Sequence, residues 1–167
     1  LAGGITDFGS LRDIQVKRNG KVIETIDVYK YLATGEMGSR IYLQNNDFVF
    51  VGNEVIKVFA TGQFKRPMYY QLKKDEGIKA LIKFSGGFTS EALTSAVKVI
   101  RTENEDQVIH DVNATSIIKI PDTDYKLEDG NIVRTDWVKP GIVNQLEGKG
   151  RVKYQGILEL RKKDSPV

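Results

Sequence analysis

Short runs of apolar residues, some continuous and some alternating with polar ones, recur along the chain and predict several β-strands. Residues 55–60 are rich in β-branched and aromatic side chains and predict a strand. A turn over 62–67 and a second strand over 68–72 would complete a hairpin. Three later runs, at 96–101, 108–112 and 132–135, predict further strands.

One segment between these strands has the periodicity of an amphipathic helix. Its expected buried face consists of Ile78, Leu81, Ile82 and Ser85, at the spacing i, i+3, i+4 and i+7. We expect Asp75 to cap the N-terminus of this helix and the glycine pair at 86–87 to end it. A second helical turn is expected after Asp27, as its N-cap, with Gly35 as its stop, whereas residues 113–120 are less helical in pattern.

The chain also repeats parts of its own sequence. The matching segments, in chain order, are residues 1–6 with 84–89, 16–18 with 99–101, 43–49 with 127–133, and 62–72 with 150–160. The corresponding offsets are 83, 83, 84 and 88 residues. Several matches in the same order indicate a duplicated unit rather than chance. Arg18 and Arg101 take equivalent strand ends in this alignment, which indicates a structural role such as pairing with a carboxylate.

These matches predict the domain organisation. Residues 54–135 form one complete unit, 1–51 an incomplete unit without an opening hairpin, 143–160 the opening hairpin of a further unit, and 161–167 a tail. A hairpin, one short helix and further strands predict an α+β fold of tandem β-grasp domains, in which small mixed sheets each grip a short helix. We hypothesise that the hairpin at 143–160 completes the first sheet, within one chain or between chains, because an open strand edge invites pairing.

The repeated segments resemble a known family. Residues 2–6 (Ala-Gly-Gly-Ile-Thr), 26–29 (Ile-Asp-Val-Tyr) and 43–49 (Leu-Gln-Asn-Asn-Asp-Phe-Val) are similar to motifs of the SLBB (soluble-ligand-binding β-grasp) domain. The version in outer-membrane polysaccharide export proteins is the most similar. Residues 150–160 resemble the opening hairpin of that family, with Gln155 where proline is usual.

The resemblance implies a role and a location. It implies a non-catalytic scaffold segment of a capsule or exopolysaccharide export protein, on the periplasmic side of the outer membrane in the Gram-negative cell envelope. Subunits of such proteins form homo-oligomeric rings around the polysaccharide path and meet an inner-membrane polysaccharide co-polymerase, and this segment itself would not insert into the membrane. The alternative function is an SLBB module that binds a soluble sugar or another small ligand.

The composition of the chain limits the kinds of site and partner that it can have. The 167 residues include 25 Lys or Arg, 22 Asp or Glu and no Cys, for a net charge of +3. Without Cys the chain has no disulfide, thiol nucleophile or thiolate-bound metal. The small net charge argues against a nucleic-acid partner and makes long-range attraction of an acidic polymer modest. A start at Leu1 rather than Met is expected of a mature product or a fragment.

The pattern of ionisable residues predicts no catalytic site, bound metal or cofactor. His110 has Asp111 beside it, but alternation along a strand puts the two on opposite faces, so we expect a surface or edge histidine. The acidic segment 122–129 has Leu127 where a calcium loop requires glycine. We therefore expect a protein that is not an enzyme.

Four residues are candidates for contact with a polysaccharide or another subunit: Lys65, Arg66, Tyr69 and Trp137. The first two are cations at the predicted tip of a hairpin. Tyr69 and Trp137 carry apolar rings of the kind that stack on sugars. Adjacent residues of a strand point to opposite faces, so either Tyr69 or its neighbour Tyr70 is expected to be exposed. Tyr154 is a further aromatic candidate.

Overall fold

The structure is a computed structural model that describes residues 3–35 and 41–139, together with the backbone of residues 145–148 and 156–159. The chain divides into two compact units, Leu1–Trp137 and Val138–Val167. The predicted α+β class is confirmed, with small sheets and short helices arranged in a β-grasp-like manner. Within the described residues, no helix has the length and apolar character needed to cross a membrane.

The first repeat, our name for residues 3–53, contains a three-stranded antiparallel sheet. Its elements are β1 (Gly9–Arg18), β2 (Lys21–Ile26), α1 (Val28–Thr34) and β3 (Phe48–Asn53). The strand order is β2-β1-β3, so β1 is central and β3 lies at one edge. The helix α1 confirms the sequence prediction: Asp27 accepts hydrogen bonds from the N–H groups of Tyr29 and Lys30, and Gly35 ends the helix at φ 72°.

The second repeat, our name for residues 54–137, contains a five-stranded mixed sheet. Its elements are β4 (Ile56–Gly62), β5 (Tyr69–Leu72), α2 (Ile78–Phe84), β6 (Val97–Glu103), β7 (Asp106–Val112), α3 (Ala114–Lys119) and β8 (Ile132–Thr135). The strand order is β5-β4-β8-β6-β7, and β4 and β8 are parallel neighbours. Each of the five strands predicted here is present, within a few residues of its predicted ends.

The repeat in the sequence is also a repeat of strand order and register. The elements β6, β7, α3 and β8 follow the same order as β1, β2, α1 and β3. Lys98 lies opposite Arg134 as Gln15 lies opposite Phe50, at offsets of 83 and 84 residues. Equivalent turns share the same unusual backbone, since Asn46 has φ 71° and Gly130 has φ 77°. The second repeat therefore differs mainly by possessing β4, β5 and α2.

The largest core of the described residues lies between the five-stranded sheet and α2. The fully buried apolar residues come from strands, from α2, from α3 and from the loop before β8: Val58, Ala60, Val97, Val99, Val133, Ile78, Leu81, Ala114 and Leu127. The predicted helix face is confirmed at Ile78, Leu81 and Ser85, which are buried, while Ile82 is half-buried. The apolar periodicity of this segment therefore reports the packing of α2 on the sheet.

The N-terminus of α2 differs from the prediction, because Gly77 rather than Asp75 is the N-cap. The glycine offers no capping side chain. Instead, Oδ1 of Asp124 accepts a hydrogen bond from the backbone N–H of Lys79 at 3.1 Å. A Cβ on Gly77 would lie 2.8 Å from the carboxyl group of Asp124, so glycine is what lets this loop approach the helix. The cap comes from a distant segment, which a local sequence pattern does not reveal.

The segment after β7 also differs from the prediction. It forms the helix α3, although its sequence is less helical in pattern. The side chain of Asn113 accepts a hydrogen bond from the N–H of Ser116 at 3.0 Å and caps the helix. Ala114 and Ile117 are buried, so packing outweighs the low helix propensity of the β-branched residues here.

The described part of Val138–Val167 is a two-stranded antiparallel hairpin. Its strands are β9 (Gln145–Gly148) and β10 (Gly156–Glu159), which pair with each other. The hairpin predicted at 143–160 therefore has both of its strands. Whether it completes the first sheet stays a prediction, and Tyr154 lies outside the described residues.

We predict that Gly62→Ala destabilises the protein much more than Gly130→Ala. Both glycines have positive φ, 79° and 77°, but a Cβ at Gly62 would collide with the carbonyl oxygen of Thr135, whereas the space around Gly130 is open. Left-handed backbone alone costs alanine about 1–2 kcal/mol. The collision adds about 1–3 kcal/mol, because backbone atoms must move.

Urea denaturation followed by circular dichroism would measure both free energies of unfolding. Equal losses for the two variants would contradict the close packing of β4 against β8 at this position.

Candidate functional site

The two repeats are joined by a buried arginine, Arg12, on β1. Its guanidinium makes a two-point contact with Glu76, with Nη1–Oε2 and Nη2–Oε1 distances of 2.8 Å each. Its Nε donates to Oδ1 of Asp27 at 2.7 Å, and Nη1 donates to the carbonyl oxygen of Gln71 at 3.0 Å. Because Glu76 and Gln71 belong to the second repeat, one side chain of the first repeat binds both.

Two adjacent aromatic rings pack against this arginine. Its guanidinium carbon lies 4.8 Å from the ring centre of Tyr29 and 4.7 Å from that of Phe84. The two rings meet edge to face, with their centres 5.1 Å apart. The hydroxyl of Tyr29 accepts a hydrogen bond from the N–H of Gln71 at 3.0 Å. We call Arg12, Asp27, Tyr29, Glu76 and Phe84 the Arg12 cluster.

The charges of the Arg12 cluster stabilise one another. Burial alone would raise the pKa of Asp27, but hydrogen bonds from Arg12 and Lys73 outweigh it and lower this pKa from 3.8 to about 2. For Glu76, burial is likewise outweighed by the hydrogen bond from Arg12, which lowers its pKa. Burial opposes the charge of Arg12, yet its hydrogen bonds with Glu76 and Asp27 raise its pKa. All three side chains are therefore charged at neutral pH.

A groove of about 170 Å³ opens beside the Arg12 cluster. Its lining combines aromatic and aliphatic side chains with two cations and no carboxylate: Leu11, Tyr29, Leu32, Ala33, Met68, Tyr70, Phe84, Arg66 and Lys83. Leu32 and Met68 are exposed, so they offer an apolar surface to solvent. Apolar surface beside cations suits a small ligand that has an apolar face and an anionic group.

Arg66 lines this groove and also supports it. Its Nη2 donates to the carbonyl oxygen of Phe84 at 2.9 Å, at the C-terminal end of α2. A cation at that end of a helix is stabilised by the helix dipole. The carbonyl oxygen of Arg66 accepts a hydrogen bond from the hydroxyl of Tyr70 at 2.6 Å. Of the four predicted contact residues, Arg66 is the one that the structure places at the groove.

The other three predicted contact residues lie elsewhere in the second repeat. Lys65 precedes Arg66 in the turn and is exposed, and its N–H donates to the carbonyl oxygen of Gly87 at 3.0 Å. Tyr69 is exposed on the face of β5 opposite Tyr70, and its ring centre lies 4.6 Å from that of Phe59.

The fourth candidate, Trp137, is exposed beyond β8 and pairs through its backbone with Ala92. It does not line the groove. One member of the Tyr69–Tyr70 pair is thus exposed, as predicted, but the four candidates do not form one surface around the groove.

The two arginines at equivalent strand ends have equivalent structural contacts. Arg18 donates from Nε and Nη2 to the two carboxylate oxygens of Asp47 at 2.8 and 2.9 Å, which lowers the pKa of Asp47 to about 2. Its Nη2 also donates to the carbonyl oxygen of Tyr42 at 3.3 Å. In the second repeat, Nη2 of Arg101 donates to the carbonyl oxygen of Lys126 at the same distance, 3.3 Å. Nη1 of Arg101 also lies 3.3 Å from Oε1 of Glu128, so the predicted pairing with a carboxylate is confirmed for both arginines.

His110 and the acidic segment at 122–129 have separate structural contacts. His110 lies on β7, an edge strand, with Nε2 2.9 Å from Oε1 of Glu103. In the acidic segment, Asp124 caps α2 and Asp129 accepts a hydrogen bond from the N–H of Lys57 at 2.7 Å. Among the residues that the structure describes, no three His, Asp or Glu side chains gather as a metal site would require.

A comparison with known protein families finds a match in the second repeat. The family model described as SLBB domain matches residues 57–110, which run from β4 into β7. The match is consistent with an SLBB domain in this segment. SLBB domains are a family of ligand-binding domains that are not catalytic. A search of curated proteins finds no match to the chain.

The Arg12 cluster, where the first repeat meets the second, is the feature that sequence analysis missed. Asp27 was recognised as a helix cap, but not as a partner of Arg12. One signal was available, since the second repeat has Ser95 at the position equivalent to Arg12 and its counterpart of Asp27 is the exposed Asp111. A charged pair present in one copy of a repeat and absent from the other points to a contact outside the shared fold.

We predict that Arg12→Met lowers the free energy of unfolding by about 3–5 kcal/mol, because it leaves the carboxylates of Asp27 and Glu76 buried without their main partner. The matched control is Arg134→Met. Arg134 pairs with Asp136 at 3.0 Å but is 58% exposed, so its loss should cost about 1 kcal/mol or less. Urea denaturation measures both. Equal effects would contradict the importance of the Arg12 cluster.

The lowered pKa of Asp27 also predicts acid sensitivity. A carboxyl group whose folded pKa lies below its unfolded value stabilises the protein above the unfolded value, 3.8, and loses this contribution as the pH falls toward about 2. The expected loss from Asp27 is about 2 kcal/mol.

The measurement is the free energy of unfolding between about pH 5 and pH 2, for the natural chain and for Arg12→Met. The variant should lose less stability over this window, since its Asp27 lacks the hydrogen bond from Arg12. If the free energy of unfolding depended on pH identically in both proteins, Arg12 would not be the cause of the lowered pKa of Asp27.

Proposed function

We propose that the chain is a non-catalytic scaffold segment of a capsule or exopolysaccharide export protein, which provides subunit contacts around the polysaccharide path. The proposed location is the periplasmic side of the outer membrane in the Gram-negative cell envelope, where the segment forms a homo-oligomeric ring and faces an inner-membrane polysaccharide co-polymerase. The SLBB domain at residues 57–110 supports a binding or export module at the level of the family.

The observation that carries the scaffold proposal is the exposed apolar surface of the first repeat. Of twenty large apolar side chains that are exposed in the described residues, twelve belong to this repeat, although it is the shorter one. On β3 alone, Phe48, Val49 and Phe50 are 71%, 54% and 49% exposed. Because alternate residues of a strand share a face, Phe48 and Phe50 lie on the same face of β3, and neighbouring exposed apolar side chains are typical of a protein–protein interface.

The Arg12 cluster adds to the argument, because a scaffold must hold its parts in a fixed relation. A two-point arginine–carboxylate contact is directional, and the rings of Tyr29 and Phe84 pack against the guanidinium that makes it. The two repeats are thus joined by a specific contact rather than by a flexible linker.

The groove favours a second candidate function, a module that binds a soluble sugar. Its apolar walls and the cations Arg66 and Lys83 suit a saccharide that carries a carboxylate. The two functions differ in what the isolated chain does. A scaffold assembles with rising concentration, and a sugar-binding module binds a defined oligosaccharide as a monomer.

We predict that sedimentation velocity over a wide concentration range shows a defined higher oligomer. Isothermal titration with oligosaccharides of uronic acids tests the second function, with Lys83→Gln as the groove variant and the exposed Lys74→Gln as its control. A strict monomer that binds a uronic-acid oligosaccharide tightly, and loses this binding in Lys83→Gln but not in Lys74→Gln, would overturn the scaffold proposal and establish the alternative.

A further inference from the structure

The outer edge of β3 lacks the strand that its counterpart in the second repeat possesses. β8 pairs with β6 on one side and, in parallel, with β4 on the other. β3, which is equivalent to β8, pairs with β1 on one side. Within residues 3–35 and 41–139, no strand pairs with its other edge. The first repeat therefore has an open position where the second repeat has β4.

The backbone of this edge is oriented to accept a strand. In the second repeat, the carbonyl oxygens of Asn131 and Thr135 accept hydrogen bonds from the N–H groups of Phe59 and Gln63 on the β4 side. Alternation along the strand then directs the N–H of Val133 to the same side. The equivalent residues of the first repeat, at an offset of 84, are Asp47, Val51 and Val49. The outward N–H and carbonyl groups of these residues can therefore form hydrogen bonds with an added parallel strand.

The side chains of β3 do not protect this edge. Natural edge strands are commonly shielded by charged residues or proline. β3 has the sequence Phe-Val-Phe-Val-Gly-Asn, without charge or proline. Of the two edge strands of the second sheet, β7 carries Asp106, His110 and Asp111, and β5 is only four residues long, which also limits edge pairing. The contrast indicates that another strand pairs with the edge of β3.

The β9–β10 hairpin has the register of the hairpin that opens the second repeat. β4 and β5 pair Lys57 with Gln71 and Phe59 with Tyr69. An offset of 88 residues on both strands converts these pairs into residues 145 with 159 and 147 with 157, which are the pairs found in β9 and β10. The same offset relates the two segments in the sequence. β9 is therefore the structural counterpart of β4.

We propose that the outer edge of β3 binds the β9–β10 hairpin of a second copy of the chain, with β9 added in parallel beside β3. This inference deepens the proposed scaffold role, since it rests on the association of copies and names the contact. The register of β4 on β8 predicts Glu147 opposite Phe48 and Gly148 opposite Val49. The edge of β3 and the β9–β10 hairpin are different surfaces of one chain. The contact is therefore head-to-tail and repeats from copy to copy, as a ring requires.

The chain has no natural cysteine, so cross-linking tests this contact without background. Phe48→Cys chains are mixed with Glu147→Cys chains, and disulfide heterodimers are measured after mild oxidation. Adjacent strands lie about 4.8 Å apart, which a disulfide can bridge. In the control mixture, Asp106→Cys replaces Phe48→Cys and places the thiol at the edge of the other sheet.

We expect the Phe48–Glu147 mixture to yield about tenfold more heterodimer than the control, because strand pairing raises the effective concentration of the two thiols. Adding Val49→Pro to the Phe48→Cys chain should abolish the excess, since it removes an outward N–H of β3. Circular dichroism checks that this variant remains folded.

Heterodimer yields equal to the control would overturn the inference. A defined oligomer in sedimentation with control-level cross-linking would overturn this contact alone and leave the proposed scaffold function standing. A monomer by sedimentation that also fails to cross-link would overturn both.

Discussion

The buried arginine on β1 is the interaction on which the arrangement of the two repeats depends. A guanidinium that is 6% exposed must have its charge and its donors satisfied, and Asp27 and Glu76 do so from opposite repeats. The adjacent aromatic rings of Tyr29 and Phe84 limit the access of water and strengthen the electrostatic contact. The groove beside the cluster shares Tyr29 and Phe84 with it, so the same residues that join the repeats also shape the surface open to a ligand.

Duplication explains both the regularity of the fold and its asymmetry. The shared strands keep one register and one set of turns, and the arginines at the strand ends keep the same carbonyl contact. The copies diverge where they meet, with Arg12 in one and Ser95 in the other. They also diverge in what surrounds β3 and β8, since β8 is enclosed by strands on both sides and β3 has an exposed apolar edge.

Periodicity and internal repeats predicted most of the fold, because strand alternation and the apolar face of α2 are local signals of burial. The misplaced cap of α2 and the unexpected helix α3 have a common cause, since the stabilising groups, Asp124 and a buried packing site, come from distant residues. The groove could not be foreseen for the same reason. It combines Leu11 and Tyr29 of one repeat with Arg66 and Phe84 of the other, and only the tertiary fold brings these segments together.

The most direct test of the central claim, that the edge of β3 is where copies of the chain join, is amide hydrogen exchange at Val49 as a function of protein concentration. Val133, its counterpart on β8, is an internal control because it is already enclosed between two strands. The account predicts fast exchange at Val49 in dilute solution, strong protection at high concentration, and constant protection at Val133. Exchange at Val49 that does not change with concentration would contradict the claim.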